Sequence, residues 1–563
     1  MNVVSRCVAM FSLYAFSLAA QDNNSVTVVT GTLLGADGKP MPVAHVHLTP
    51  VIAMDGITSG TVGPDGRYAL ASTHTGAFML RFTGVNHGSA FVPILLTGSS
   101  STIVIDVQLA RYKYADTIDK VLVIGDWNHF DFGTGRPMIK QPDGRYTLEV
   151  ESTEDTLAYQ LLGLTENRSI NGTSADRYFY DGGGDYRSVL RVAKGKTTIV
   201  FDPRRLDRRP STQRITWREP ASFAARFADA YKSVQRIANA YFDSAAAARA
   251  RKDSLRYDWT AGLRELTTRI GQDRDALIEQ ELLLGLIQIT SLGAHPDSTL
   301  VARAPREIRP TSPLWSFHQG YMVMQMFVFG RHPTVSPRET LKDTASANAA
   351  LAYLDSMAAR HPDRRTRAGA LATAVQIAMA INQMPRGNEY FLRLGAEYPE
   401  SPMLGFLRAR YAPDRVLRVG VAVPSFHFAA LTDSTQSYTR ESMLGKVYLL
   451  DFWATWCGPC IGDMPYLHAA FDTLHAKGLE ILSVSLDQDP GDVTKFLTGE
   501  WKMPWQHAFA RGGFTNPSMR QFEIVFIPRM ALVGRDGNII AVDDNLRGEK
   551  ILPTLRQALQ TTQ

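Results

Sequence analysis

The chain has 563 residues, 45% of them hydrophobic and 20% charged; this ordinary composition is spread over too long a chain for one hydrophobic core, so three or four domains are expected. A net charge of +5 over that length gives no basis for nucleic-acid binding, which needs positive charge gathered on one face. There are three cysteines, Cys7, Cys457 and Cys460. The first lies in a segment expected to be cut away, which leaves one pair three positions apart.

Residues 1–20 read as a secretory signal. Arg6 gives a positive start, 7–18 an apolar run too short to span a bilayer comfortably, and Ser17, Ala19 and Ala20 small residues for cleavage. A buried N-terminal helix is the other reading. Cys7 stands at the start of the apolar run rather than at its end, which argues against a lipid-anchored signal. The expected protein is exported and soluble, periplasmic in a Gram-negative cell.

Residues 24–110 alternate apolar and polar in short runs separated by Pro/Gly turns, which predicts a small β sandwich. His45 and His47 fall on one strand face and could be two metal ligands; without a third, a half-exposed strand is the better account. Residues 111–205 predict a second β sandwich, with Trp127 and Phe130 beside a polar Asn128. Those rings either fill the core or stack on a glycan. The stretch 201–214 is rich in Arg and contains Pro203 and Pro210, the composition of a solvated linker. Residues 218–412 carry apolar residues at i, i+3 and i+4 with abundant Ala, which predicts an α-helical region. No clean 34-residue period emerges.

Residues 416–563 carry the chemistry. A nearly continuous apolar run over 446–454 predicts a strand buried on both faces. Trp456-Cys457-Gly458-Pro459-Cys460 follows, then helical spacing, then further strands over 480–486, 527–533 and 539–542 and a closing helix from about 550. This placement puts Cys457 at a helix N-terminus, where free N–H groups and the helix dipole favour a thiolate. Cys460 lies one turn in, on the same face, and suits a resolving role. Asp451 shares a strand face with Leu449 and Trp453; burial would raise its pKa and fit it to exchange a proton with Cys460. An Asp held by local hydrogen bonds is the other reading. One CxxC gives two of the four ligands of a structural zinc, so no metal and no cofactor beyond the redox pair is expected. A peroxidase needs a lone nucleophilic Cys behind a Pro/Thr pocket, and only Thr455 is present.

Several segments resemble known families. Asp451-Phe452-Trp453-Ala454-Thr455-Trp456-Cys457-Gly458-Pro459-Cys460 resembles the thioredoxin active-site segment. With Met503-Pro504-Trp505, the longer domain is similar to exported TlpA-like proteins of the AhpC/TSA-related group. The resemblance implies a C-terminal α/β thioredoxin fold and disulfide-bearing protein substrates. It also implies a reducing role recharged by a membrane thiol donor. By the same likeness Pro528 is the cis-proline facing the cysteines, and Ile527, Trp456, Gly458 and Pro459 contact substrate. Two departures stand out: Arg529 where many relatives have Thr, which would alter substrate choice, and Ser483 where thioredoxins place a Lys near the Asp. In the first β segment, Gly31, Pro42-Val43-Ala44, Val46 and Asp65-Gly66-Arg67-Tyr68 resemble carboxypeptidase-regulatory-like domains. In the second, the stretch from Val121 through Trp127 to Met138 resembles early-set, glycogen-binding-like sandwiches. Residues 388–403 resemble the end of a tetratricopeptide hairpin. The competing function is a glycan- or partner-binding surface protein with an accessory redox domain.

Overall fold

The computed structural model describes residues 26–561 apart from 52–57, 166–167, 171–176, 194, 252, 319, 332–341, 434 and 500. The expected signal segment 1–20 lies outside the described residues.

The N-terminal part is β-rich. Strict alternation sets its strands: in Arg67–Ser72 every second side chain is buried, with Tyr68 and Leu70 turned inward. One four-stranded sheet runs Arg214–Trp217, Ser101–Gln108, Thr27–Leu34, Arg67–Ser72, and another runs Thr58–Thr61, Ala44–Pro50, Gly76–Gly84, Ala90–Leu96. Val29, Leu33, Val46, Leu80, Phe82 and Ile105 belong to one core between them. Two further sheets, built on Tyr146–Glu151 and Thr156–Thr165, share a core that includes Val123, Tyr159, Leu161, Ile199 and Phe201.

The stretch 201–214, expected as a solvated linker, is anchored at both ends. Phe201 closes a strand and is fully buried, and Arg214–Trp217 pairs antiparallel with Ser101–Gln108. Ile215 and Trp217 pack against the first core, an alternation that the surrounding Arg and Pro obscured. The arginines are also engaged locally, Arg204 with Asp202 at 2.8 Å and Arg209 with Asp207 at 2.5 Å.

Residues 223–411 form an irregular helical layer, from Phe223–Ala250 to Met403–Tyr411, around a single large core. Several of its helices start at an Asp cap. Asp343 accepts from the Ala345 and Ser346 N–H groups, and Asp363 from that of Arg365.

The C-terminal region is one seven-stranded sheet. Its order is Ser437–Thr439, His427–Ala430, Gln506–Phe509, Leu479–Ser485, Val447–Trp453, Arg529–Val533, Ile539–Val542. Val447–Trp453 lies near the centre, parallel to Leu479–Ser485 and antiparallel to Arg529–Val533. All seven of its residues are buried because both faces are covered: Val447, Leu449 and Trp453 face one core, Tyr448, Leu450 and Phe452 the other. The hairpin His427–Ala430/Ser437–Thr439 and the strand Gln506–Phe509 were not foreseen. They are three or four residues long, too short for an alternating pattern to register.

The helical layer is tied to this sheet. Arg529, fully buried, donates through Nη1 to the Ala409 carbonyl at 3.1 Å and lies 2.9 Å from Asp543 by its Nε. That contact is an ion pair by distance without hydrogen-bond alignment, since neither atom has a hydrogen-bond partner. Burial pulls the Arg529 pKa down and pushes the Asp543 pKa up. Arg410 adds a two-pronged bond to Asp544 at 2.6 and 2.8 Å. The expected role of Arg529 in substrate choice is corrected here: its side chain has no surface for a substrate and serves the domain joint. Replacing one member of a buried pair leaves the other charge uncompensated. Arg529→Met is therefore expected to lower stability by about 3 kcal/mol in urea unfolding at pH 7. Adding Asp543→Leu should restore much of the loss. An unchanged midpoint in the single variant would refute the joint.

Candidate redox site

The site is assembled where the central strand gives way to a helix. Helix Gly458–Leu474 begins at Cys457 as its N-cap, with Pro459 in the first turn, where a missing N–H costs nothing. Cys457 and Cys460 are joined as a disulfide with Cα atoms 5.3 Å apart. The Cys457 Sγ also accepts from the Cys460 N–H at 3.2 Å, the kind of N-terminal donor that stabilises a thiolate once the bond is reduced. Both cysteines are buried, while Trp456, Gly458 and Pro459 are exposed around them.

Strand parity puts Asp451 on the same face as Leu449 and Trp453, the face whose core includes both cysteines. Asp451 is fully buried, and desolvation is the main reason its pKa rises to about 7; the Asp463 charge adds to the rise, while a hydrogen bond from Ser483 opposes it. Ser483, directly opposite Asp451 in register, donates to Oδ2 at 2.9 Å. The Trp505 indole N–H in turn donates to the Ser483 Oγ at 3.0 Å. Oδ1 has no partner. Ser483, which departs from the Lys of thioredoxins, thus holds one carboxylate oxygen and leaves the other open for a proton.

The Ile527–Pro528 peptide bond is cis. Pro528 is buried, and Ile527 packs against the core that holds the two cysteines.

Two positioning carboxylates escaped sequence reasoning. Asp487 accepts from the Thr455 N–H at 3.0 Å and from its hydroxyl at 2.6 Å, so it fixes the turn into the CxxC. The Thr455 hydroxyl considered for a peroxidase pocket is thereby engaged. Asp463, one turn beyond Cys460, accepts from Gly548 N–H at 3.0 Å and pairs with Arg547. Its i, i+3 spacing from Cys460 was the signal available.

The other candidate residues lie elsewhere. His45 and His47 both stack on Tyr180, at 4.6 and 4.8 Å between centroids. Their Nδ1 atoms bond to Tyr186 and Ser59. Among the described residues there is no group of three or more His, Cys, Asp or Glu placed to hold a metal. Arg136 lies over the Trp127 ring at 5.3 Å and Arg187 over Phe130 at 3.7 Å, so each ring already has a cation on a face that a sugar would need. Among the described residues no helix is long and apolar enough to cross a membrane.

The Redoxin family model matches residues 418–545. This C-terminal region is a TlpA-like thioredoxin domain. A thiol-disulfide oxidoreductase ResA of Oceanobacillus iheyensis is 36% identical over 86 residues, 15% of this chain and 45% of that protein. The ResA of Bacillus cereus is 24% identical over 151 residues, 27% of this chain and 82% of the relative. Thus the chain spans less than half of the first relative and most of the second. Among solved structures, the thioredoxin domain of a thiol-disulfide oxidoreductase from Bacteroides vulgatus is 28% identical. It covers 25% of this chain and 97% of its own, with a TM-score of 0.23.

Proposed function

We propose that this protein is an exported thiol–disulfide oxidoreductase that reduces disulfides in extracytoplasmic proteins. The observation that carries the reading is a CxxC pair whose first cysteine caps a long helix, packed in the core that covers the strand face bearing the buried Asp451. In the reduced form the Cys457 thiolate attacks one sulfur of a substrate disulfide, forming a mixed disulfide and expelling a substrate thiolate. Cys460 then loses its proton, to Asp451 directly or through one water, and its sulfur attacks the Cys457 Sγ. The second substrate thiolate leaves. The substrate gains two electrons and, on protonation, two thiols; the protein ends as the Cys457–Cys460 disulfide. A thiol donor must then return two electrons, and a membrane dithiol protein is the partner class we assign.

Trp456, Gly458, Pro459 and the Ile527 backbone form the substrate-facing rim. We assign 1–20 as the export signal and the boundaries 24–110, 111–205, 218–412 and 416–563 as the working modules, the first two as β sandwiches with accessory roles. The glycan-binding alternative has less support, because Arg136 and Arg187 lie over the rings it requires.

The test is the potential of the Cys457–Cys460 couple, by equilibration with glutathione buffers. A reductant is expected nearer about −270 mV than about −120 mV, the reducing and oxidising ends for such dithiols. A value at the oxidising end would reverse the direction proposed.

A further inference from the structure

We propose that helix Met403–Tyr411, from the helical layer outside the thioredoxin domain, completes the substrate groove. The groove would take an apolar side chain of an extended substrate segment, two residues from its reactive half-cystine. The proposal rests on the thiol–disulfide reading above and deepens it.

A cavity of about 490 Å³ lies between the two regions, lined by Gly405 and Arg408 of the helix and by Phe514, Arg520, Glu523, Ile524 and Val525 of the redox domain. A Cβ placed on Gly405 meets nothing within 4 Å, so the helix presents open space there. One wall of the cavity reaches toward the redox pair. Phe514 lines it, and the Phe514 and Trp456 rings are 6.4 Å apart, with Trp456 directly preceding Cys457.

Trp456, Phe514 and Val525 are 59%, 39% and 52% exposed. Single exposed apolar residues are ordinary, but a contiguous set beside a reactive disulfide marks a docking surface. Val525 stands two residues before Ile527, in the loop that leads to Pro528. A substrate strand lying along the Ile527 backbone would therefore bring a side chain two positions from its half-cystine to the cavity mouth.

The helical wall is fixed in place. Phe406 packs on Phe526 with centroids 4.7 Å apart. Arg408 bonds to Glu523 at 3.3 Å, Glu523 accepts from the Val416 N–H at 3.0 Å, and Arg529 holds the Ala409 carbonyl. The disulfide-bearing chain is the occupant that the reaction itself brings to this mouth.

The test uses the full chain charged with dithiothreitol and two unstructured peptide disulfides. One has Leu at both positions two residues from each half-cystine, the other has Gly there. Wild type should favour the Leu peptide by about tenfold in kcat/KM, the scale of burying such a side chain. Gly405→Trp fills the cavity and should bring the ratio to about one. Val525→Ser should bring it to about threefold. Leu392→Trp, at a 69% exposed site on helix Met384–Glu397, should keep the tenfold preference. A wild type that reduces neither peptide refutes the oxidoreductase reading and the groove with it. Equal reduction of both peptides, or a tenfold preference surviving in Gly405→Trp, overturns the groove alone. A change of oligomeric state in Gly405→Trp by sedimentation would assign the cavity to a second copy and also overturn it. If Gly405→Trp does not fold, Val525→Ser decides, and an unchanged ratio there overturns the proposal.

Discussion

Cys457→Ser is expected to lower insulin-disulfide reduction by the dithiothreitol-charged protein about a thousandfold or more, while Cys460→Ser accumulates a covalent adduct with its substrate. The asymmetry follows from position on the helix. Cys457 is the N-cap of a 17-residue helix, and its sulfur already accepts the Cys460 N–H. That donor and the helix dipole stabilise negative charge on sulfur, so Cys457 ionises first. Trp456 leaves an exposed approach beside it. Cys460 lies a turn inside the helix and is the more buried of the two, at 1% against 5%. Removing Cys460 preserves attack and deletes only release, so the mixed disulfide persists and is visible by mass spectrometry. Removing Cys457 deletes the bond-forming sulfur itself. If iodoacetamide at neutral pH labels Cys460 ahead of Cys457 in the reduced protein, the roles are reversed.

Much of this site could be read from the chain because its signals are local. A double-faced apolar strand, a CxxC and a helix follow one another over 447–474, and each constrains the next. The buried placement of Asp451 followed from strand parity, since Leu449 and Trp453 flank it on the same face. What escaped detection depends on pairs far apart in sequence. Asp487 reaches Thr455 across 32 residues, and Arg547 reaches Asp463 across 84. Arg529 shows the same limit from the other side. Sequence likeness placed it next to the cis-proline, so a substrate role was a natural expectation. Its partner is a carbonyl 120 residues earlier, and only the docking of the helical layer determines which way the guanidinium turns. The edge strand Arg214–Trp217 was hidden for a related reason: it completes a sheet whose other members end a hundred residues upstream.

Asp451→Asn is expected to stabilise the protein increasingly as pH rises and, at the same time, to slow resolution of the mixed disulfide. The folded-state pKa of Asp451 lies near 7, well above about 3.9 for an unfolded Asp. The folded protein therefore holds this proton where the unfolded chain has released it. Stability contributed by the protonated acid is complete below about pH 4, declines as pH climbs, and is lost by about pH 7, a change on the order of 4 kcal/mol. Asn does not titrate, so the gap between variant and wild type should widen across that window and level off above it. An amide facing the place of Oδ1, which has no partner, adds a fixed cost of about 1–3 kcal/mol. That cost shifts the whole curve and leaves its slope intact, so the slope is the diagnostic. In the reaction, Cys460 must shed a proton as it attacks, and an acid half-ionised near neutral pH with one oxygen free is suited to receive it. Asn keeps the Ser483 contact but takes no proton. Stopped-flow measurement should show resolution slowed by about 10²-fold, with its pH inflection near 7 gone. Attack by Cys457, which depends on the helix N-terminus, should change little. Equal slowing of both steps, or a stability gap independent of pH, would remove Asp451 from the proton path.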